Sequence, residues 1–375
     1  MLQLRKSLYG LRTSPKSWYD TLSKKLITKG GLQQSKVDPA LFFKMEGKRL
    51  ITLAICWVDD LLVCSTSDRD RRKLKEMMSM ELQAQMRGVV DEKGKMYIGC
   101  NLRRTGDGYT LDQREHIERV LKDNGYATAK PLSTPMTEPP KDDKEWDPKV
   151  KIPFELPSLI GSLHYIAQWS RPDISYAVNY LARHQRRPTE HTIATAKRVL
   201  RYLVGTVDLK IAYKSSIKSS PARVTTYVDA SHAAEADRRS QTGGLIFYNG
   251  SLLNWGSHHQ KCITTSAAEA ELIAASDYSR RTLGVVRLLE ELKVPHETPV
   301  IREDNSAVVA ITSGTPKSKS TLRHVQTHHL FVREQAQRGA IKVKHISGDR
   351  QVADLLTKPL PKGKFELLRS RILLG

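Results

Sequence analysis

The sequence predicts a multidomain protein of mixed α/β and α+β class, and three observations predict it. At 375 residues the chain is longer than one hydrophobic core usually serves. Residues 222–360 alternate strand-like apolar runs with helical patterns, as a layered α/β unit does. Residues 156–204, by contrast, carry helical spacing alone. A Pro-rich, charged stretch, PLSTPMTEPPKDDKEWDP, stands before this block and reads as linker. The expected organisation is a first segment over 1–130, a linker over 131–155, a helical block over 156–215, an α/β domain over 222–360 and a tail over 361–375.

In the first segment, LITLAICWVDDLLVCS is apolar on both sides of Asp59 and Asp60. Residues 52–58 and 61–65 have the length and residue types of two buried strands, with the carboxylate pair on the turn between them. Two adjacent carboxylates repel each other and call for a compensating cation. A divalent-metal site and a plain Asp-rich turn are equally compatible with the pair by itself.

The helical block places Leu159, Leu163 and Ile166, then Ile174, Ala177, Val178 and Leu181, at helical spacing, and Pro172 and Pro188 divide it into three helices. Its Arg183, Arg186, Arg187, Lys197, Arg198 and Arg201 are either a solvated face or phosphate contacts.

In the last segment VTTYVDAS reads as a strand carrying Asp229, and GGLIFYNG and SLLNWGS as strands joined at Asn249-Gly250, a strong hairpin signal. A long helix follows, with Ser266 as candidate cap and Glu269 and Glu271 early in it. PVIRE is a strand leading to Asp304 and a helix, IKVKHIS a late strand, and RQVADLLTK a short helix holding Asp354. Any one of these acids alone reads as a cap or a surface acid. Four together can converge on one point and bind two Mg²⁺ about 3.5–4 Å apart for hydrolysis of a phosphodiester. Magnesium suits them as a hard cation that takes oxygen ligands, and Mn²⁺ can substitute.

Composition points the same way. The chain has 61 Lys+Arg against 40 Asp+Glu, a formal net charge of +21, and such an excess favours a polyanionic partner through counterion release. Cys56, Cys64, Cys100 and Cys262 show no paired spacing, which suggests neither a zinc site nor a disulfide framework. The most apolar segment, residues 50–64, is too short for a membrane span and is split by two aspartates. A soluble protein with no membrane partner is expected, in a cytoplasmic particle or the nucleus rather than secreted.

The ordered motifs resemble the Pol polyprotein of copia-type retrotransposons over nearly the entire chain. LYGLRTSPKSWY, with Leu8, Tyr9, Gly10, Leu11, Pro15, Trp18 and Tyr19, is similar to the family's LYGLKQAPRxWY. Asp38, Pro39 and Leu41 match DPxLY, and Val58, Asp59 and Asp60 match YVDD, with Trp57 replacing the tyrosine. GSLHYIAQWSRPDI and AKRVLRYLVGT are similar to hallmarks of the family's connection between polymerase and ribonuclease H. Asp229-Ala230, residues 269–274, Asp304 to Ser306 and the run ADLLTK match the family's ribonuclease H motifs.

The resemblance implies a partial reverse transcriptase palm and thumb, a helical connection, and a ribonuclease H-like mixed five-stranded sheet with flanking helices. It implies metal ligation by Asp59 and Asp60 in the polymerase part, where Tyr9 and Gly10 face template and nucleotide. In the ribonuclease H part it implies a catalytic metal site of Asp229, Glu271, Asp304 and Asp354. Asp229 would bridge both ions, Asp354 would serve the one activating water, and Glu271 and Asp304 the one at the leaving oxygen. Glu271 is preferred to Glu269 because it precedes Leu-Ile-Ala. His345 and Asp349 stand near the place of a histidine found in many ribonucleases H. Arg323, His324, His328 and Arg333 are expected on a helix facing the hybrid, where Gln326 replaces a family aspartate.

The family's earlier polymerase aspartate lies upstream of LYGL, so no polymerase activity is expected from this stretch alone. The expected function is Mg²⁺-dependent cleavage of RNA in RNA–DNA hybrids. One alternative is a decayed or domesticated fragment that binds nucleic acid without chemistry. Another is a polymerase competent only with an upstream part of Pol as partner.

Overall fold

The structure, a computed structural model, describes residues 8, 10–138, 152–215, 221–233, 238–312 and 326–375, with the side chains of 326–330 left aside. Two compact units emerge. The first comprises residues 1–90, 95–98 and 287–295, and the second residues 91–94, 99–286 and 296–375.

The first unit begins with α1 (Ser14–Thr28), entered through Pro15, whose fixed φ suits a first helical turn. A sheet follows, in the order β1 (Gln33–Gln34), β2 (Leu41–Glu46), β3 (Arg49–Trp57) and β4 (Asp60–Ser65), antiparallel throughout. The helix α2 (Asp68–Leu82) is capped by Ser67, which accepts from the Asp70 amide. Leu22 and Leu26 of α1 and Leu74 and Met77 of α2 cover Phe42, Ala54 and Cys56 of the sheet. The short strand β5 (Lys95–Tyr97) completes the elements of this unit before residue 98.

The second unit opens with a hairpin of β6 (Cys100–Thr105) and β7 (Gly108–Asp112), then α3 (Arg114–Asp123). The helical block is α4 (Leu156–Trp169), α5 (Ser175–His184) and α6 (Glu190–Val204), broken at the two prolines as expected. β8 (Ile211–Lys214) then pairs with β7, Gly108 opposite Lys214. Residues 99–138 therefore pack with the second unit, whereas the sequence reading placed 99–130 in the first segment and 131–138 in the linker. Their sheet partner lies far downstream, beyond the reach of local periodicity.

The strands β9 (Val224–Ser231), β10 (Arg239–Tyr248) and β11 (Ser251–Ile263) form an antiparallel meander. Asn249 and Gly250, both at positive φ, make the tight turn between β10 and β11. The long helix α7 (Ala267–Glu291) leads to β12 (Val300–Glu303), α8 (Ser306–Thr312), α9 (Gln326–Gln337), β13 (Lys342–His345) and α10 (Lys362–Arg369). The sheet order is β11-β10-β9-β12-β13, with β12 parallel to both β9 and β13. This is the mixed five-stranded sheet the sequence led us to expect.

One apolar core joins the helical block to this sheet. Leu163, Ile166, Leu181, Leu200 and Leu203 pack with Leu245, Val352 and Leu356, and with Phe365 and Leu368 of α10. Residues 361–375, expected as a tail, are thus folded into the unit, and Lys210 and Leu374 exchange two backbone hydrogen bonds of 2.9 and 2.8 Å. Arg171, fully buried, donates to Asp173 (Nε to Oδ1 2.9 Å, Nη2 to Oδ2 2.7 Å) and to the Thr206 carbonyl at 2.8 Å. Arg198 donates to the Thr134 carbonyl at 3.0 Å and hydroxyl at 2.7 Å, and Arg201 to the Lys130 carbonyl at 2.8 Å. These two arginines hold residues 130–134, where the expected linker begins, against α6. Among the described residues no helix is long and apolar enough to cross a membrane.

Candidate active site

The parallel pairing of β9 with β12 brings their carboxyl ends to the same edge of the sheet, with Thr226 opposite Ile301 and Tyr227 opposite Arg302. Asp229 lies near the end of β9, and Asp304 directly follows β12. Glu271 comes from the second turn of α7. One carboxylate oxygen from each of the three lies within 4.8 Å of the others. Asp229 and Glu271 are buried and Asp304 is half-buried.

The start of α7 explains which glutamate enters this cluster. The Glu269 amide donates to Ser266 Oγ at 3.2 Å, and the Glu269 carboxylate reaches back to the Thr265 amide at 2.6 Å and hydroxyl at 2.7 Å. Glu269 is a capping residue. Glu271, two positions on, points to the other side of the helix and into the cluster.

Burial pushes the Asp229 carboxyl up from 3.8 to about 6, and Asp354 adds to this, while Lys358 and a hydrogen bond from Thr357 oppose it. Glu271 is pushed well above the usual carboxylate range by burial, then by Glu303, Asp229 and Asp304. Asp304 is raised by burial and by Asp354. Glu303, fully buried at the end of β12, is likewise raised by burial, although it accepts from the Asn305 amide at 3.0 Å. In Asp229, Glu271, Asp304 and Glu303 burial is the first cause and neighbouring carboxylates add to it, so their charged forms are disfavoured where no cation offsets them.

Asp354 stands differently. It sits on a short 3₁₀ turn, Val352–Leu356, and its two oxygens are taken by two ammonium groups: Lys358 Nζ at 2.8 Å from Oδ1 and Lys364 Nζ at 2.5 Å from Oδ2. Lys358 Nζ is also 3.5 Å from Asp229 Oδ2, and Thr357 Oγ1 donates to that same oxygen. Gln351, fully buried, donates to the Val228 carbonyl at 2.8 Å and hydrogen-bonds Asp304. The loop at Gly348 passes close by, for a Cβ there would stand 3.7 Å from Asp304 Oδ2.

The donor set fits a hard divalent cation. All three clustered ligands are carboxylate oxygens, and Glu271 Oε2 is buried without a hydrogen-bond partner. A cation there would satisfy that orphaned oxygen and offset the charge repulsion.

Of the other expected site residues, Asp59 is exposed on the two-residue turn between Trp57 and its pair Asp60, with Val58 at φ +51. Asp60 opens β4, with Arg87 Nη1 3.6 Å from its Oδ1. Among the described residues no third acid, histidine or cysteine joins these two as a ligand group. Gly10 is exposed at φ +93. Arg333 is half-buried on α9, and His345 and Asp349 are exposed. Tyr9, Arg323 and His324 lie outside the described residues, as does the side chain of His328. Sequence reasoning missed Glu303, Gln351 and the role of Lys364. The one available signal was for Glu303, an acid at the end of a short strand and next to Asp304.

The reverse transcriptase (RNA-dependent DNA polymerase) family matches residues 1–138. The Pol polyprotein of transposon RE1 from Arabidopsis thaliana is 34% identical over 372 residues, covering 99% of this chain and 25% of its own length. The chain thus spans about a quarter of that relative. A transposon Ty5-1 protein of Saccharomyces cerevisiae is 30% identical over 278 residues, 73% of this chain and 87% of that protein. A solved foamy viral protease-reverse transcriptase in complex with an RNA/DNA hybrid aligns with 94% of this chain and 40% of its own, at 13% identity and a TM-score of 0.49, a likeness too loose to bear on mechanism. With its acidic cluster framed by the matching motifs and its relatives aligned along almost its whole length, the chain belongs to the Pol polyprotein family of copia-type retrotransposons.

Proposed function

We propose that the chain is an endoribonuclease that cuts the RNA strand of RNA–DNA hybrids, using a divalent metal held by Asp229, Glu271 and Asp304 with Asp354 close by. The observation that carries this reading is the convergence of the first three carboxylates within 4.8 Å. Mg²⁺ is the expected ion, and Mn²⁺ a competent substitute. When bound, the metal supplies a polarised water and stabilises charge on the phosphodiester oxygens.

The chain's own residues do the rest. Thr357 fixes the rotamer of Asp229, Gln351 ties the turn before Asp354 to β9, and the capped start of α7 sets the direction of Glu271. The excess positive charge attracts the hybrid, and its A-form-like shape and 2′-hydroxyls give selectivity for RNA. The polymerase part is proposed to be inactive alone, since Asp59 and Asp60 lack a third acidic ligand among the described residues. On this reading the protein works inside the cell, in a cytoplasmic particle or the nucleus, and an upstream part of Pol would be its partner in polymerisation.

The test is cleavage of a labelled RNA–DNA hybrid with Mg²⁺ by the parent chain and by Asp229→Asn. Cleavage by the parent alone supports the reading. Intact hybrid binding without cleavage by either protein would replace it with a binding fragment that does no chemistry.

A further inference from the structure

Among the described residues Asp354 is ion-paired with both Lys358 and Lys364, Asp229 with Lys358 at longer range, and Glu271 and Asp304 with neither. Lys358 Nζ stands between Asp354 Oδ1 at 2.8 Å and Asp229 Oδ2 at 3.5 Å. It springs from the position four residues after Asp354, just past the 3₁₀ turn, and its amide donates to the Asp354 carbonyl at 3.3 Å, which keeps the two together. A divalent ion held by those same oxygens would need them about 2.1 Å from its centre, which leaves no room for an ammonium in the same interval. Lysine and ion are therefore mutually exclusive there. Lys364 is not in this position, for it holds the other oxygen of Asp354, and Asp229 is not among its contacts.

We propose that Lys358 is an internal counter-cation, bridging Asp229 and Asp354 in the metal-free protein and giving way before an ion can be shared by those two carboxylates. The inference rests on the metal-site reading above. It divides the site into an open part, Asp229 with Glu271 and Asp304, and a part that Lys358 closes. The Lys358 side chain is 40% exposed, so it has a solvent path along which to leave. A backbone phosphate of the substrate offers the departing ammonium a new partner of the same sign as the carboxylates it quits.

The experiment is calorimetric titration of the full chain with Mn²⁺, metal-free at the start, for the parent, Lys358→Met, Lys362→Met and Glu271→Gln. The parent is expected to bind one ion tightly and one weakly. Lys358→Met should tighten the weaker event at least about tenfold, some 1.4 kcal/mol. Lys362→Met, at an exposed position of α10, removes the same charge and should leave that event within about threefold of the parent. An unchanged weaker event in Lys358→Met overturns the proposal. So does equal tightening in Lys362→Met, which would indicate net charge rather than occupancy. If Glu271→Gln binds Mn²⁺ as the parent does, the proposal falls together with the metal-site reading. Should Lys358→Met fail to fold, the parent gives a second readout, labelling of Lys358 by an amine-reactive reagent. The rate should rise several-fold at saturating Mn²⁺, and a constant rate overturns the proposal.

Discussion

Glu269 and Glu271 stand two residues apart on α7 and have opposite surroundings. The first closes the helix start through Thr265 and Ser266, and the second is 7% exposed with one oxygen unpartnered beside Asp229 and Asp304. Their substitutions should separate cleanly. Glu271→Gln is expected to abolish hybrid cleavage with folding intact. Glu269→Ala should cost about 1 kcal/mol through the lost cap and leave cleavage within a few-fold. Parallel urea melts and cleavage assays check both, and loss of cleavage in Glu269→Ala alone would reverse the assignment.

The raised acids predict a pH dependence of stability. For Asp229 the folded value is about 6 against an ordinary 3.8. Between those values the folded protein keeps a proton that the unfolded chain has released, so stability falls as pH rises through this window and levels off above it. Glu271 and Asp304 shift in the same direction. Metal-free parent should therefore lose melting temperature relative to Asp229→Asn between about pH 4 and pH 6. Mg²⁺ binds the deprotonated form and should recover the loss. A difference that is flat or opposite in sign across that range would count against the buried, mutually repelling cluster.

The buried pair Arg171–Asp173 predicts a large effect far from any chemistry. Asp173 also accepts from the Tyr202 hydroxyl, so its removal leaves a buried guanidinium without its counter-ion and a buried hydroxyl without its acceptor. Asp173→Ala should destabilise by roughly 3–5 kcal/mol, seen as a lower urea midpoint. The double variant Arg171→Met with Asp173→Leu should cost much less, since no charge is then left alone. Equal costs would mean the pair is held by packing rather than by charge.

Gly243 and Gly244 of β10 should resist substitution for reasons of space. A Cβ on Gly244 would come within 2.5 Å of the Tyr278 ring of α7, and one on Gly243 within 2.6 Å of the Thr357 methyl. Gly244→Ala is expected to cost about 1–3 kcal/mol by overpacking. Gly243→Ala should in addition lower cleavage, because Thr357 is the group that holds Asp229. Normal cleavage by a folded Gly243→Ala protein would remove Thr357 from any positioning role.

The parts of this structure that were legible in sequence are those set by short-range signals. The Asn249-Gly250 turn, the three proline-punctuated helices and the hairpin carrying Asp59 and Asp60 all depend on neighbours within a few residues. Glu271 was separable from Glu269 by motif, and the capping geometry gives the physical reason. What could not be read depended on distant partners. The β7–β8 pairing joins strands separated by the whole helical block. The two lysines on Asp354 look like ordinary surface charge until the short turn and α10 fold against each other. Arg198 and Arg201 likewise offered phosphate contact or a solvated face, and their described partners are carbonyls of residues 130–134.

The bridge between Lys210 and Leu374, with α10 just before it, ties distant stretches of sequence into one structural piece. Lys364 of α10 pairs with Asp354, and the residue that leads into β8 is bonded to Leu374. Residues 362–374 are therefore a clasp: cutting the chain ahead of Lys362 would release the β8 end and strip Asp354 of one of its two ammonium partners at a single stroke.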